Sequence, residues 1–199
     1  VSSSTRGIWG GGFEPSQVNK IEFVTIASAA NATDFGDLTV ARNGCGRAMS
    51  PTRGLFGGGG TPTANDTIDY ITMATTGNAT DFGNLTATVA NSVQVTSSNT
   101  RGIFGGMGPN FDSIDFVTIA STGNATDFGD LGSISVGTGG ATSDKIRGVF
   151  GLGYSGSAYL NVIQQVTIAT TGNSVDIGEL TLLRHQPACL GDAHGGLSE

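Results

Sequence analysis

The amino-acid sequence repeats itself about every 47 residues, and this period limits the possible folds more than any other feature. An Arg-Gly-x-aromatic-Gly segment occurs four times, with spacings of 47, 48 and 46 residues, at Arg6, Arg53, Arg101 and Arg147. An Asn-x-x-Asp-x-Gly-x-Leu segment recurs in step with it, beginning at Asn31, Asn78, Asn124 and Asn173. Self-similarity at a fixed period of this length is the signature of a repeat protein. Four copies of one unit therefore fill the 199 residues.

Each unit is predicted to form four short β-strands separated by turns. The chain contains 33 glycines, and charged residues make up 13% of it, where about 25% is usual in soluble domains. In the strand predicted at 68–74, apolar side chains fall on both faces, whereas a half-solvated strand alternates. Repeated four-stranded units of about 40–50 residues that bury both faces are typical of β-propellers.

We therefore predict an all-β fold, a β-propeller of about 47-residue blades, with four blades in a single repeat domain that spans residues 1–199. The blades are expected at approximately 6–52, 53–100, 101–146 and 147–199. A C-terminal strand within 187–197 is expected to close the ring onto the N-terminal blade, because closure removes exposed edges. The alternative is that the chain forms part of a larger propeller or of an assembly of subunits.

The repeated glycines and aromatic residues have a predicted packing role. Glycine permits the close approach of neighbouring blades and the positive φ of tight turns. The aromatic residue of each Arg-Gly segment is expected to fill the space between blades, at Trp9, Phe56, Phe104 and Phe150. The Asn-x-x-Asp-x-Gly segment is expected to form a tight turn before a short fourth strand.

Charge and cysteine content narrow the possible partners. The net charge is −7, and the few Lys and Arg residues form no cluster of the kind that binds a nucleic acid backbone. No apolar run approaches the roughly 20 residues of a membrane-spanning helix. Cys45 and Cys189 have no nearby cysteine, so a CxxC metal or redox motif is absent. We expect two free, buried thiols rather than a disulfide, and neither nucleic acid nor a membrane span.

The arginine of each unit is expected to form an ion pair with an acidic residue on the neighbouring strand. The predicted pairs are Arg6 with Glu22, Arg53 with Asp69 and Arg101 with Asp115, while the fourth unit has Arg147 and the neutral Gln164. On this hypothesis, Arg53→Ala destabilises the fold more than Arg147→Ala.

The double glycines of the repeats resemble those of kelch and galactose-oxidase-like propellers. These glycines are Gly10-Gly11, Gly57-Gly58 and Gly105-Gly106, and the blade-end arginine of that family appears at Arg42 and Arg184. This arginine is missing at the matching points near Val89 and Ser135. The Tyr and Trp pair of kelch repeats is also missing. Over nearly the whole chain, the Asn-Ala-Thr-Asp-Phe-Gly segments at 31–36, 78–83 and 124–129 and the Arg-Gly-x-Phe-Gly-Gly segments at 53–58 and 101–106 give a closer resemblance. They resemble the tandem repeats in structural and tail-associated proteins of marine tailed bacteriophages, including cyanophages.

The phage resemblance implies a non-catalytic structural and recognition module of a virion, in a tail fibre, appendage or decoration role. It implies a virion or extracellular location, with other virion proteins or host surface polysaccharide as partners, and a homo-oligomer is compatible with it. The rival is a free carbohydrate-binding propeller, a lectin, and a less favoured alternative is a glycan-cleaving enzyme.

A repeated aspartate is predicted to stabilise a turn in each unit. The segment 174–181 resembles the Asp-box of sialidase-like propellers, in which a carboxylate accepts backbone N–H bonds. The equivalent aspartates are Asp34, Asp81, Asp127 and Asp176. Together with Asp37, Asp130 and Glu179 they could instead provide oxygen ligands for Ca²⁺, but no dense D-x-D-x-D-G loop occurs. We expect no metal and no other cofactor.

Catalytic motifs are not apparent. His185 and His194 are the only histidines, and no GxSxG or HExxH accompanies them. Neither the nucleophilic Tyr and arginine cluster of a sialidase nor the copper ligands of a galactose oxidase can be assembled. The chain is therefore predicted not to be an enzyme.

Candidate binding residues lie where the units differ, because repeat scaffolds carry function in loops at one face. Exposed aromatic residues suited to stacking on sugars are expected at Phe13, Phe111, Tyr154 and Tyr159. Polar candidates near the propeller axis are Arg42, Arg47, Arg184, His185 and His194.

Overall fold

The computed structural model describes residues 1–90, 93–107, 110–136, 139–184 and 188–189, and in this part of the chain all regular structure is β. The strands of the first two units are β1 (Arg6–Phe13), β2 (Gln17–Thr25), β3 (Thr33–Asp37), β4 (Gly46–Met49), β5 (Arg53–Gly57), β6 (Asn65–Thr72) and β7 (Thr80–Val89). Those of the last two are β8 (Gln94–Ser97), β9 (Arg101–Met107), β10 (Ser113–Thr118), β11 (Thr126–Asp130), β12 (Gly140–Ser143), β13 (Arg147–Gly151), β14 (Leu160–Thr167) and β15 (Val175–Arg184). The predicted all-β fold is confirmed.

The strands form four antiparallel sheets, each a simple meander. Sheet 1 contains β1–β3, sheet 2 β4–β7, sheet 3 β8–β11 and sheet 4 β12–β15. In sheet 1 the first residues of the chain take the place of the missing edge strand, because Ser2 bridges to Gly7 and the Ile8 amide donates to the Val1 carbonyl at 2.9 Å. Meandering four-stranded sheets of this kind resemble propeller blades.

The repeated Thr-Asp-Phe-Gly segment lies inside a strand, so the prediction of a tight turn there is wrong. In β7 the register with β6 shifts between Ile68 and Asp69, which marks a β-bulge. The Gly83 amide donates to Asp81 Oδ1 at 3.1 Å, and Gly83 has a φ of +143°. A bulge needs the same residue types as a turn, since glycine supplies the positive φ and aspartate binds a nearby amide.

Successive sheets pack face to face, and an aromatic ring from each sheet sits on a glycine of the preceding one. A Cβ on Gly57 would lie 2.6 Å from the Phe104 ring, so only glycine fits beneath it. The equivalent rings of Phe56 and Phe150 lie over Gly10 and Gly105, and all three rings are fully buried. The predicted role of these phenylalanines between sheets is confirmed.

Backbone hydrogen bonds also join the sheets. The Gly77 amide donates to the Phe35 carbonyl at 2.7 Å, and the Ala79 amide to the Asp37 carbonyl at 2.8 Å. The same pair of bonds recurs between sheets 2 and 3 and between sheets 3 and 4. Each turn before a bulged strand therefore binds the bulged strand of the preceding sheet.

The arginines of the Arg-Gly segments do not pair with the predicted acids. Arg53 Nη1 donates to the Ile119 carbonyl of the next sheet at 3.0 Å, and its guanidinium lies 4.7 Å from the centre of the Tyr70 ring. Arg6 and Arg101 make the equivalent contacts. The strand register explains the error, because Arg53 lies opposite Thr72 and Asp69 lies opposite Phe56, three residues along the strand.

Arg53→Ala is still expected to destabilise the fold more than Arg147→Ala, for a different reason. Arg53 would lose a cation–π contact and a hydrogen bond between sheets, together about 1–2 kcal/mol. Arg147 is exposed and pairs with Asp144 at 2.7 Å, a kind of surface pair that contributes about 0–1 kcal/mol. Urea denaturation of the two variants measures the difference, and equal losses would contradict these contacts.

The four sheets of the described residues do not close into a ring. Trp9 occupies the position of the buried phenylalanines but is 55% exposed, because no sheet precedes it in the described part of the chain. At the other end, every residue of β15 is exposed or half-buried. The predicted closing strand falls within 187–197, of which only 188–189 are described.

The two cysteines are free, as predicted, although only one is buried. Cys45 packs in the core between sheets 1 and 2, and burial raises the pKa of its thiol. Cys189 is exposed, which corrects the expectation that both would be buried. Among the described residues there is also no helix long and apolar enough to cross a bilayer.

Candidate ligand-binding face

The topology collects the variable segments at one end of the sheets. In each meander the hairpin loop between the Arg-Gly strand and the next strand lies at the same end as the connector that leaves the bulged strand. We call this the variable-loop end, and its described segments are 14–16, 38–45, 58–64, 110–112, 131–136 and 152–159. The opposite, repeated-turn end carries the nearly identical turns before each bulged strand. Scaffold and variable positions are therefore separated in space.

Two tyrosines form the most prominent aromatic feature of the variable-loop end. Tyr154 and Tyr159 face each other across the hairpin of sheet 4, joined by an isolated β-bridge, with ring centres 5.7 Å apart and ring planes inclined at 46°. The Tyr154 hydroxyl donates to the Gly156 carbonyl at 2.8 Å, and Gly156 has a φ of +91° that favours glycine in this turn. Tyr159 is 58% exposed. Tyr154 is half-buried, which corrects the expectation that it would be exposed.

Phe13 and Phe111 lie at the same end but differ from the tyrosine pair. Phe13 ends β1 and is 63% exposed. Phe111 is half-buried, which corrects the expectation that it would be exposed. Its carbonyl accepts the Ser135 amide at 2.9 Å, and its φ is +55°. A positive φ is unusual for an aromatic residue and marks local strain. The structure thus places four predicted aromatic residues at one end, on the hairpin loops of three different sheets.

Arg42 is fully buried, so it has no surface to offer a ligand. Its Nη2 lies 2.9 Å from Asp69 Oδ2 and donates to the Phe56 carbonyl at 3.0 Å. Asp69 also accepts a 2.6 Å bond from the Thr39 hydroxyl and a bond from the Thr39 amide. Arg42 and Thr39 come from sheet 1 and Asp69 from sheet 2. The pair therefore joins two sheets.

The residues at the positions of Arg42 and Asp69 differ at the next two interfaces between sheets. Between sheets 2 and 3, Thr86 donates its amide and hydroxyl to Asp115, which is fully buried, and Val89 stands where Arg42 does. Burial raises the pKa of the Asp115 carboxyl. Between sheets 3 and 4 the carboxylate is replaced by Gln164, which accepts the Gly132 amide at 2.9 Å. Among the described residues at this position, only the first of the three interfaces contains an ion pair.

The remaining polar candidates are scattered. Arg47 is exposed on β4 and lines a shallow cavity of about 130 Å³ between the edge strands β4, β8 and β12, together with Met49 and Ser97. Arg184 is exposed at the end of β15 and donates to the Leu182 carbonyl at 3.5 Å. His185 and His194 lie outside the described residues. Of these candidates, the three that the structure describes, Arg42, Arg47 and Arg184, do not lie in one site.

The repeated aspartates stabilise the bulges by accepting backbone amides. Each Oδ1 accepts the amide two residues on, at 2.9–3.2 Å, in the pairs Asp34–Gly36, Asp81–Gly83, Asp127–Gly129 and Asp176–Gly178. Sequence analysis predicted this role, although at a turn rather than a bulge. The described residues contain no group of three or more His, Cys, Asp or Glu residues placed to hold a metal ion.

The Arg42–Asp69 pair is not among the ion pairs predicted from the sequence. Alignment of the four units contained a signal for it, because the position of Arg42 is occupied in turn by Val89, Ser135 and Arg184. The arginine is present in only some units, and the strand position of Asp69 is an acid in three units and glutamine in the fourth. Such joint variation suggests a pair across an interface.

Comparison of the chain with protein-family models and with curated proteins finds no match. The local geometry and the repeat pattern are therefore the basis for assigning a function. Of the two ends of the sheets, the variable-loop end differs from unit to unit and presents aromatic side chains to solvent.

Proposed function

We propose that this chain is a non-catalytic structural and recognition module of a phage virion that binds host surface glycans at its variable-loop end. The repeated residues form the scaffold, and the loops select the ligand. The virion assignment rests on the resemblance of the tandem repeats to those of tailed-phage structural proteins. The glycan assignment rests on the aromatic side chains of the variable-loop end.

The observation that carries the proposal is the Tyr154–Tyr159 pair. A tyrosine ring offers an apolar face for the C–H face of a sugar and a hydroxyl for its polar groups. Two inclined rings 5.7 Å apart, held by a bridged hairpin, present these features at low conformational-entropy cost on binding. Phe13 and Phe111 provide further apolar surface on other loops of the same end.

The acidic character of the chain favours neutral or weakly charged sugars over polyanions. The net charge is −7, and the described arginines are buried, paired or distributed over different strands. A highly anionic polysaccharide would therefore meet electrostatic repulsion over most of the surface. Neutral surface polysaccharides are the preferred ligand class.

The test is a binding panel with the whole labelled protein and purified surface polysaccharides from marine bacteria. We expect saturable binding to at least one neutral polysaccharide and about a tenfold loss of affinity in Tyr159→Ala, since removing an aromatic contact costs about 1.5 kcal/mol or more. Tyr159→Phe keeps the ring and is expected to stay within about twofold if stacking dominates.

Ile146→Ala is the control, because Ile146 is 65% exposed but lies between β12 and β13, at the repeated-turn end. It is expected to leave the affinity for the polysaccharide unchanged. Binding that survives both Tyr154→Ala and Tyr159→Ala, or no binding to any polysaccharide by a folded protein, would contradict glycan recognition at this face. Turnover of the polysaccharide would favour the glycan-cleaving alternative.

A further inference from the structure

The three interfaces between sheets follow one pattern, with a donor face and an acceptor face. The donor face belongs to the bulged strand and the connector after it. In sheet 1 it presents Gly36, which lies against the Gly77 carbonyl of sheet 2, and then Thr39 and Arg42, which bind Asp69. The acceptor face of the next sheet presents the buried phenylalanine, here Phe56, beside that acid. Sheets 2 and 3 use both faces, the acceptor face against the preceding sheet and the donor face against the next one.

Sheet 4 carries a donor face that lacks an acceptor sheet among the described residues. Its bulged strand β15 has Gly178, Thr181 and Arg184 at the positions of Gly36, Thr39 and Arg42. A Cβ on Gly178 would meet nothing within 4 Å, whereas at each of the three preceding equivalents it would collide with the next sheet. Sheet 4 thus has the threonine and the arginine at these positions, whereas sheet 3 has neither.

Sheet 1 carries the complementary acceptor face. Glu22 lies opposite Trp9 in the register of β1 and β2, as Asp69 lies opposite Phe56 in sheet 2. Both Glu22 and Trp9 are exposed. Ile26 is 58% exposed, while its equivalents Met73 and Ile119, whose carbonyls accept the repeated arginines, are buried.

We propose that a second copy of this chain docks head to tail on these faces, so that Arg184 of one copy pairs with Glu22 of the next. The contact repeats the interface between sheets 1 and 2, with Thr181 and Arg184 in the roles of Thr39 and Arg42. Glu22 takes the role of Asp69, and Trp9 takes the role of Phe56.

Two observations favour a second copy as the occupant. Arg184 on the donor face and Glu22 on the acceptor face have opposite charges, and each face continues an interface that the described sheets form three times. Within one chain Trp9 and Glu22 lie on sheet 1 and Arg184 lies on sheet 4, and all three are exposed. A head-to-tail contact gives a ring if the rotation closes and a filament if it does not.

The test uses two charge-reversal variants of the whole chain, Arg184→Glu and Glu22→Arg. Each variant alone would bring like charges together at every junction between identical copies. We expect association, measured by sedimentation velocity, to weaken by about 100-fold or more in each. A 1:1 mixture restores both kinds of junction, so the mixture is expected to assemble again into alternating chains.

Three results would overturn the proposal. The first is a wild-type chain that remains a monomer at up to about 100 μM. The second is a pair of variants that assemble as well as the wild type. The third is a lower melting temperature in each single variant that the Arg184→Glu/Glu22→Arg double variant restores and mixing does not, which indicates that one chain closes on itself. Unchanged melting temperatures in the single variants separate loss of association from misfolding, because both residues are exposed. The glycan panel does not depend on this result.

Discussion

Replacing Asp69 with asparagine is expected to lower the free energy of unfolding by about 3–5 kcal/mol, the usual cost of leaving a buried charge without its partner. Arg42 and Asp69 are both fully buried, and their atoms lie 2.9 Å apart. In the variant the guanidinium keeps carbonyl partners at Phe56 and Thr67 but loses its counter-ion. Urea denaturation at pH 7 measures the loss.

Asp115→Asn is the matched control, because Asp115 occupies the same position one sheet later without an arginine. Burial raises the pKa of its carboxyl, so the folded state binds a proton more tightly than the unfolded state. Stability therefore falls as the pH rises from the ordinary aspartate pKa through the raised value. At pH 7 the asparagine removes that penalty, and we expect a change within about 1 kcal/mol and a flatter dependence of stability on pH. Equal losses in the two variants would contradict the ion pair.

Phe104→Ala is expected to destabilise the fold by about 3–5 kcal/mol. The ring is fully buried between sheets 2 and 3 and packs on Gly57. Its removal leaves a cavity that the surrounding strands cannot fill, because their backbones are held by hydrogen bonds on both sides. Thermal and urea denaturation of the purified variant give the loss.

Trp9→Ala is the control at the equivalent position of sheet 1, where the side chain is 55% exposed. We expect a loss of less than about 1 kcal/mol when both changes are made in the Arg184→Glu background, in which copies do not associate. A loss in Trp9→Ala as large as that in Phe104→Ala would show that sheet 1 is covered within a single chain.

The sequence was sufficient to predict the features that depend on repetition and local chemistry. The period predicted the sheet-forming unit, and the glycine–phenylalanine pattern predicted the packing between sheets. The Asp-x-Gly spacing predicted the bond between the aspartate carboxylate and the glycine amide. Phe56, Phe104 and Phe150 behave alike because each meets the same neighbour on an adjacent sheet. Trp9 differs because its neighbour is missing in the described residues, which no local pattern could indicate.

Features that depend on strand register could not be predicted from the sequence. The predicted pair of Arg53 and Asp69 fails because the register separates them by three residues, and Asp69 faces Arg42 from another sheet instead. The bulge was mistaken for a turn because both use glycine and aspartate in the same way. The loop aromatics could be predicted as candidates, but their relation to one another, such as the facing of Tyr154 and Tyr159, follows from hairpin geometry.

Amide hydrogen exchange with and without a bound polysaccharide tests the central claim most directly, because it shows which end of the sheets meets the ligand. Glycan recognition by the loops predicts slower exchange in 152–159 and in the loops that carry Phe13 and Phe111, with no change in the repeated turns at 73–79 and 119–125. Protection confined to those repeated turns, or spread evenly over the sheets, would contradict it.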